Sequence, residues 1–284
     1  MSKEIIDNKQ CISIIAIFIL GSAILFGVAN IAKNDSWISI ILAIVISIPF
    51  ILIYARILTL FRGKDIFEIL IIIFGKFFGR IIGLLYAGYA FHLGALVLRN
   101  FGEFININAK PETPIIVPIL FIGLLAIMIV RYGVEVMGRC SKIFLPVIVL
   151  IILIVNILVI PELNLSFIKP ILYDGFKPVF KGAFSTFTFP FAETVLLTSV
   201  LFALGPKESI YKVYIKGLLI GGAILLLIDL RNLLVLGSYI KELVYFPSHL
   251  AVERIHIGKF VQRIEVTVAI VLVISVTIKA SVCL

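Results

Sequence analysis

The sequence predicts an all-α polytopic protein of the inner (cytoplasmic) membrane, and three observations carry that prediction. The chain is 62% hydrophobic and 14% charged, whereas an ordinary soluble domain carries about 25% charged residues. Its apolar residues gather in long runs, and its basic residues gather between those runs. A membrane-crossing helix needs roughly 20 mainly apolar residues. Runs near 11–31, 36–57, 79–101, 114–130, 143–160, 181–204, 212–236 and 261–284 supply about eight such spans, by that length rule, in a single bundle over 1–284. Segments 161–178 and 237–260 are too polar to cross.

The net charge of +9 follows from topology rather than from nucleic-acid binding. With the N-terminus in the cytoplasm, Lys3, Lys9, the clusters Arg56–Arg80 and Arg131–Lys142, and Lys207, Lys212 and Lys216 all lie inside. The short outer connections then hold only Lys33, Arg99 and Lys110, the bias expected of cytoplasmic loops. The lipid bilayer is therefore one partner, and no nucleic acid is expected. Met1–Gln10 carries charge but no clear cleavage site follows it, so the first run reads as a retained helix. Cys11, Cys140 and Cys283 lack metal or redox spacing and read as small packing residues. Glu253 and His256 form half a metal motif without a second half, so no metal is expected. No phosphate loop, nucleophile elbow or zinc-protease pattern is present, and neither a cofactor nor enzymatic activity is expected.

Two spans are interrupted. The first holds Gly21, Ser22, Ala23 and Gly27 near its middle, and the sixth reads Phe187-Thr188-Phe189-Pro190-Phe191-Ala192-Glu193-Thr194. Gly has no β-carbon and Pro no N–H, so both weaken the helical ladder. Backbone groups freed at membrane depth are tolerated only where protein, ligand or cavity water satisfies them. Five spans separate the two interruptions, the relation expected of inverted repeats that each open with a broken helix. The expectation is a first repeat over about 11–160, an incomplete second repeat over about 179–284, and a binding site near the midplane between the breaks. Because the second repeat stops after its third span, the chain is expected to be truncated, or naturally short by two helices.

Several short segments together resemble a known family. These are Gln10 to Ser13 followed by Gly21 to Gly27, Asn34-Asp35-Ser36-Trp37-Ile38, Phe191-Ala192-Glu193-Thr194, Phe246-Pro247-Ser248 and Phe260-Val261-Gln262-Arg263-Ile264-Glu265. The pattern resembles the B subunit of spore germinant receptors, the endospore germination permeases of the amino acid, polyamine and organocation transporter superfamily. The resemblance implies a ten-helix, LeuT-like inverted-repeat permease fold with broken helices one and six. It further implies an inner-spore-membrane location, sensing of a small nutrient such as an amino acid, and work alongside an A subunit and a lipoprotein C subunit.

Among single residues Glu193 is the sharpest candidate. An acid at a helix centre costs about 2.5 to 3.5 kcal/mol to insert, so it must face a cavity or a partner. It either holds a ligand amine, a proton or a water network, or is a structural carboxylate bonded to a neighbouring helix. The first break, Gly21, Ser22, Ala23, Ile24 and Gly27, offers backbone N–H groups to a ligand carboxylate, or simply close helix packing. Phe187, Phe189 and Phe191 are candidates for an apolar pocket, with Thr194 beside Glu193. Tyr86, Tyr89, Leu93, Leu96 and Asn100 recur at helical spacing on the third span, and Tyr89 and Leu93 are taken as pocket residues. His92 is offset from that face.

Arg99 and Glu103 read as an ion pair near a helix end. Asp229 with Arg231 reads as an interfacial ion pair, with a gate as the alternative. Glu265 and Lys279 are too far apart on one helix to meet, so each needs another partner, one candidate being a missing helix. Gly79 with Gly83 and Gly217 with Gly221 have the spacing of close helix approach. The leading functional reading is a nutrient-binding receptor subunit; the alternatives are a proton-coupled amino acid permease and a non-functional remnant.

Overall fold

The computed structural model describes residues 5–108, 112–255, 264 and 266–284. Its elements are α1 (Asn8–Leu20), a 3-10 turn (Asn30–Asp35), α2 (Ser36–Leu60), α3 (Ile66–Asn108), α4 (Ile116–Tyr132), α5 (Val134–Leu158) and α6 (Phe176–Thr186). A π turn (Phe187–Phe191) and a 3-10 turn (Ala192–Leu197) lead from α6 into α7 (Thr198–Leu201). They are followed by α8 (Ile210–Leu243), α9 (Pro247–Glu253) and α10 (Val266–Cys283). The predicted all-α polytopic membrane class is the one observed. Among the described residues, 6 helices are long and apolar enough to cross a membrane, while α1 and α4 are shorter apolar helices.

α1 is the centre of the bundle. Every residue from Gln10 to Leu20 except Ile12 is buried, as expected of a helix that is apolar all round. Its start is fixed by a capping box: Asp7 accepts from the Gln10 N–H at 2.7 Å while Gln10 Oε1 accepts from the Asp7 N–H at 2.8 Å, satisfying two donors that the helical ladder leaves open. Burial pushes the Asp7 carboxyl up, but the Gln10 N–H and the Lys142 ammonium outweigh it and hold the group below its usual value. α1 makes its most extensive contacts with α8, which also packs along α2.

Several boundaries differ from those the sequence predicts. α5 begins at Val134 instead of near 143, because its polar first turns stay helical outside the apolar layer, where Arg139 pairs with Glu135. α3 begins at Ile66, not near 79, and is broken at Gly75 (φ 76°, ψ 174°). The segment before that break folds against the one after it. A β-carbon on Gly79 would lie 2.7 Å from the Ile71 Cα, and one on Gly83 would lie 3.2 Å from the Phe67 ring. This contact accounts for the Gly79–Gly83 spacing. Gly217 and Gly221 do the same for α8 on α1, facing Ile15 and Ile19.

The polar connection 161–178 does not span. It forms short 3-10 turns and is pinned to the end of the first break: Asp35 accepts from the Leu172 N–H at 3.0 Å, and Asn34 donates to the Lys169 carbonyl at 2.9 Å.

A substitution pair tests the α1–α8 contact. A β-carbon at Gly217 would lie 2.6 Å from the Ile15 side chain, whereas one at Gly88 would meet nothing within 4 Å. Gly217→Ala is expected to destabilise by about 1–3 kcal/mol, the usual cost of overpacking. Gly88→Ala is expected to be neutral or to stabilise by about 0.5–1 kcal/mol. Denaturant unfolding in detergent compares the two, and equal effects would contradict the packing described.

Candidate functional site

The first interruption is a true break. α1 stops at Leu20, Gly21 takes φ 35° and ψ −127°, and no α-helix resumes until Ser36. A side chain at position 21 would collide with the Lys279 Cδ, so Gly21 is needed both for its positive φ and for the close passage of that lysine. Gly27 likewise makes room for the Asn30 side chain, which donates to the Lys241 carbonyl at 3.3 Å.

Three other elements satisfy what the break exposes. The Ile24 carbonyl accepts from the Ser248 hydroxyl of α9, and the Val28 carbonyl accepts from Thr186 Oγ1 of α6 at 3.0 Å. Asn100 of α3 donates to Ser22 Oγ at 3.3 Å. Ser22, Ala23 and Ile24 are all buried.

The second interruption runs from Phe187 to Leu197. Phe189, at φ −136° and ψ 114°, leaves helical geometry altogether, and the following turn tightens to 3-10. Freed carbonyls again find side chains. The Tyr86 hydroxyl donates towards the Leu196 and Val195 carbonyls at 3.1 and 3.3 Å, and Thr194 Oγ1 donates to the Phe191 carbonyl at 2.6 Å.

Lys279 of α10 joins the two breaks. Its stem passes over Gly21, its ammonium lies 2.5 Å from Glu193 Oε2, and the same nitrogen sits 5.1 Å from the Phe18 ring centroid and 5.2 Å from that of Phe189. The side chain of Lys279 is 0% exposed and that of Glu193 7%. A cation between two ring faces and a carboxylate is held by charge pairing and by the ring quadrupoles together. The arrangement is a water-poor cradle for one alkylammonium group.

Of the residues singled out from sequence, Gly21, Phe189 and Glu193 meet around this cradle. Leu93 and Phe191 are buried, Phe187 packs on Phe50 with centroids 4.8 Å apart, and Phe26, inside the first break, meets Phe189 edge-on at 6.3 Å. Tyr89, by contrast, is 41% exposed; Tyr86, one turn earlier, reaches the second break instead. His92 is exposed. Arg99 and Glu103 pair at 2.7 Å.

Two expectations are corrected. Lys279 does not need a partner beyond the described chain, since Glu193 supplies it; Glu265 lies outside the described residues. Asp229 does not pair with Arg231, because positions two apart on a helix do not face each other. Its partner is Lys241 at 2.5 Å, with Ser36 Oγ donating to Asp229 Oδ2 at 2.6 Å and Lys241 donating to Ser36 Oγ at 2.9 Å. Along a straight helix, 12 residues would separate these groups by about 18 Å. The break at Gly237 (φ 71°, ψ 162°) brings Lys241 back. Among the described residues no His, Cys, Asp and Glu cluster is suited to a metal.

Fold and site together define a polytopic permease-type membrane protein with a charged centre between two interrupted helices. Residues 5–284 match the family described as Spore germination protein, and the chain belongs to that family. It is 28% identical to Spore germination protein KB of Bacillus subtilis (strain 168) over 99% of this chain and 76% of the relative. It is 26% identical to Putative spore germination protein YfkT of the same organism, over 84% of this chain and 65% of the relative. With Spore germination protein XB of Bacillus anthracis the identity is 27%, over 82% and 64%. The chain thus spans about two thirds to three quarters of the length of these relatives.

The Glu193–Lys279 pair makes a distinctive prediction. Glu193→Gln or Lys279→Met alone strands one buried charge and is expected to cost about 3–5 kcal/mol, whereas the double substitution removes both charges and is expected to cost less than the sum. Unfolding of the purified chain in detergent measures all three. Strict additivity would show that the two groups do not depend on each other.

Proposed function

We propose that this chain is the nutrient-sensing membrane subunit of a spore germinant receptor, and that it binds a small amine-bearing nutrient, an amino acid by preference, between its two broken helices. The observation that carries this reading is the ammonium cradle. A buried carboxylate at the meeting point of two unwound segments is neutralised by a lysine on a third element, whose ammonium also lies over two aromatic rings.

In this reading the ligand amine replaces the Lys279 ammonium at Glu193. The Glu193 carboxylate and the ligand amine stay paired in the exchange, and the displaced Lys279 ammonium, which would otherwise be stranded, has to leave the core with α10 towards water. The ligand carboxylate is taken at the first break by the N–H groups of Ser22, Ala23 and Gly27, since those of Gly21 and Ile24 already donate to the Ile17 and Leu20 carbonyls. Phe187, Phe189 and Phe191, with Leu93 and Thr194, bound its side chain. A released Lys279 frees α10 from both breaks, and the ligand shifts the protein towards that arrangement in proportion to its differential affinity for it.

The fold in this proposal is an inverted-repeat unit, 11–160 and 179–284, in the inner membrane, with the N-terminus in the cytoplasm. A-type and C-type receptor subunits receive the conformational change. Family membership and the charge pattern support this assignment.

Thermal unfolding of the purified chain in nanodiscs tests the site. A stabilising amino acid found by screening is expected to lose its effect when its amine is replaced by hydroxyl, and to lose it again in Glu193→Gln. Lys279→Met is expected to bind it at least as tightly as the wild type, since the competing ammonium is gone. Unchanged stabilisation of Glu193→Gln would exclude the site. Robust accumulation of the amino acid by the chain alone in proteoliposomes would favour the permease reading over the receptor.

A further inference from the structure

Arg99, Lys241 and Lys279 each have a carboxylate partner. Arg231 does not. It lies within α8, is 6% exposed, and spends its Nε and Nη2 on one oxygen, Asn232 Oδ1, at 3.2 and 2.9 Å. Five N–H donors need more than one oxygen, and among the described residues no carboxylate pairs with it. Asn232 is neutral, so among the described residues nothing compensates the positive charge. A buried ionisable group in a membrane-spanning helix, without a counter-charge among the described residues, is a candidate functional site.

The guanidinium also lines a partly open cavity of about 30 Å³, room for roughly one or two water molecules. Its walls are hydrocarbon from Ile152, Val155, Val268 and Val271. The hydroxyls at its rim are already committed, Ser248 to the Ile24 carbonyl and Thr267 to the Ile264 carbonyl at 2.6 Å. The guanidinium is the group at this cavity with donors to spare. Water would fill the space without neutralising the charge; an anion does both.

We propose that the Arg231 cavity is a binding site for one compact monovalent anion, a halide ion or the carboxylate head of a small organic acid. The size of the cavity excludes bulky anions, and its hydrocarbon walls favour weakly hydrated ones. The cavity borders the first break through Ile24, but Arg231 takes no part in the Glu193 cradle and the proposal does not rest on the function given to that cradle. It is nevertheless linked to the first break. Asn232, which Arg231 holds through its oxygen, donates through Nδ2 to Ser248 Oγ at 2.9 Å, and Ser248 in turn donates to the Ile24 carbonyl. An anion that draws Arg231 away from Asn232 alters the hydrogen-bond chain that fixes Ile24.

Thermal unfolding of the purified full chain in nanodiscs, at matched ionic strength in sodium gluconate, chloride, bromide or formate, tests the proposal. Chloride and bromide, or formate, are expected to raise the midpoint by several degrees with saturable dependence, as mass action requires of a ligand bound by the native state, while gluconate is not. A response to halides alone identifies an inorganic-ion site, and a response to formate identifies a carboxylate site. Arg231→Gln is expected to abolish the response. Val268→Phe, which fills the cavity and leaves the charge in place, is expected to do the same and serves if the arginine variant does not fold. Midpoints equal in all four salts, or an undiminished response in Val268→Phe, would overturn the proposal.

Discussion

A helix interrupted at membrane depth exposes N–H and C=O groups to a medium that cannot bond them, and the rest of this structure is organised around that constraint. The stretch from Gly21 to Ala29 has no α-helical ladder. What keeps it in place is a set of side chains delivered from distant parts of the sequence: Asn100 to Ser22, Ser248 to Ile24 and Thr186 to Val28. The second break is held in the same manner by Tyr86. Neither unwound segment is therefore stable on its own account. Each depends on the helices around it, and any movement of those helices is transmitted to the break.

Charge follows the same logic. Removing two ions from water is costly enough that a buried pair seldom adds net stability over a well-packed apolar pair, so the two buried pairs here are better understood by what they connect. Lys241 and Asp229 close the bend at Gly237 and enlist Ser36 at the start of α2. Lys279 and Glu193 connect α10 to both breaks at once. In that second pair Lys279 presents its ammonium to Phe18, Phe189 and a carboxylate, while its stem fills the space over Gly21.

Much of this was legible from residue types. Gly21 and Pro190 mark the two breaks because backbone freedom and a missing N–H are local properties. Glu193 stands out because an acid in an apolar run is expensive wherever the run lies. The capping residue Asp7 and the Arg99–Glu103 pair are likewise short-range. What was not legible is which remote groups meet. The Asp229–Arg231 expectation failed because it was drawn from proximity in sequence, and the actual partner Lys241 comes close only after a bend at a single glycine. Lys279 was recognisable as a buried base in need of an acid, and Glu193 as a buried acid in need of a base. Each being the other's simplest counter-charge was the signal available. The helical spacing that selected Tyr89 gives a face but not its rotation, and a shift of one turn puts Tyr86 at the second break in its place.

The first break is thereby reached by charge from two directions. At Gly21 the Lys279 stem occupies the space a side chain would take, so the position of that lysine and the backbone conformation at Gly21 are mutually exclusive with most alternatives. At Ile24, three residues on, the carbonyl is the end of a chain that begins at Arg231 and passes through Asn232 and Ser248. One end of the break is thus fixed by a cation that has its counter-charge, and the other by a cation with no carboxylate partner among the described residues. The segment has few bonds of its own, among them Ile24 N–H to the Leu20 carbonyl and Leu25 N–H to the Ser22 carbonyl, so in the two proposals occupancy at Glu193 and occupancy at Arg231 act on the same few backbone torsions. In linkage terms, two ligands that bias one two-state element must influence each other's affinity. The short stretch from Gly21 to Ile24 is the element through which that influence would pass.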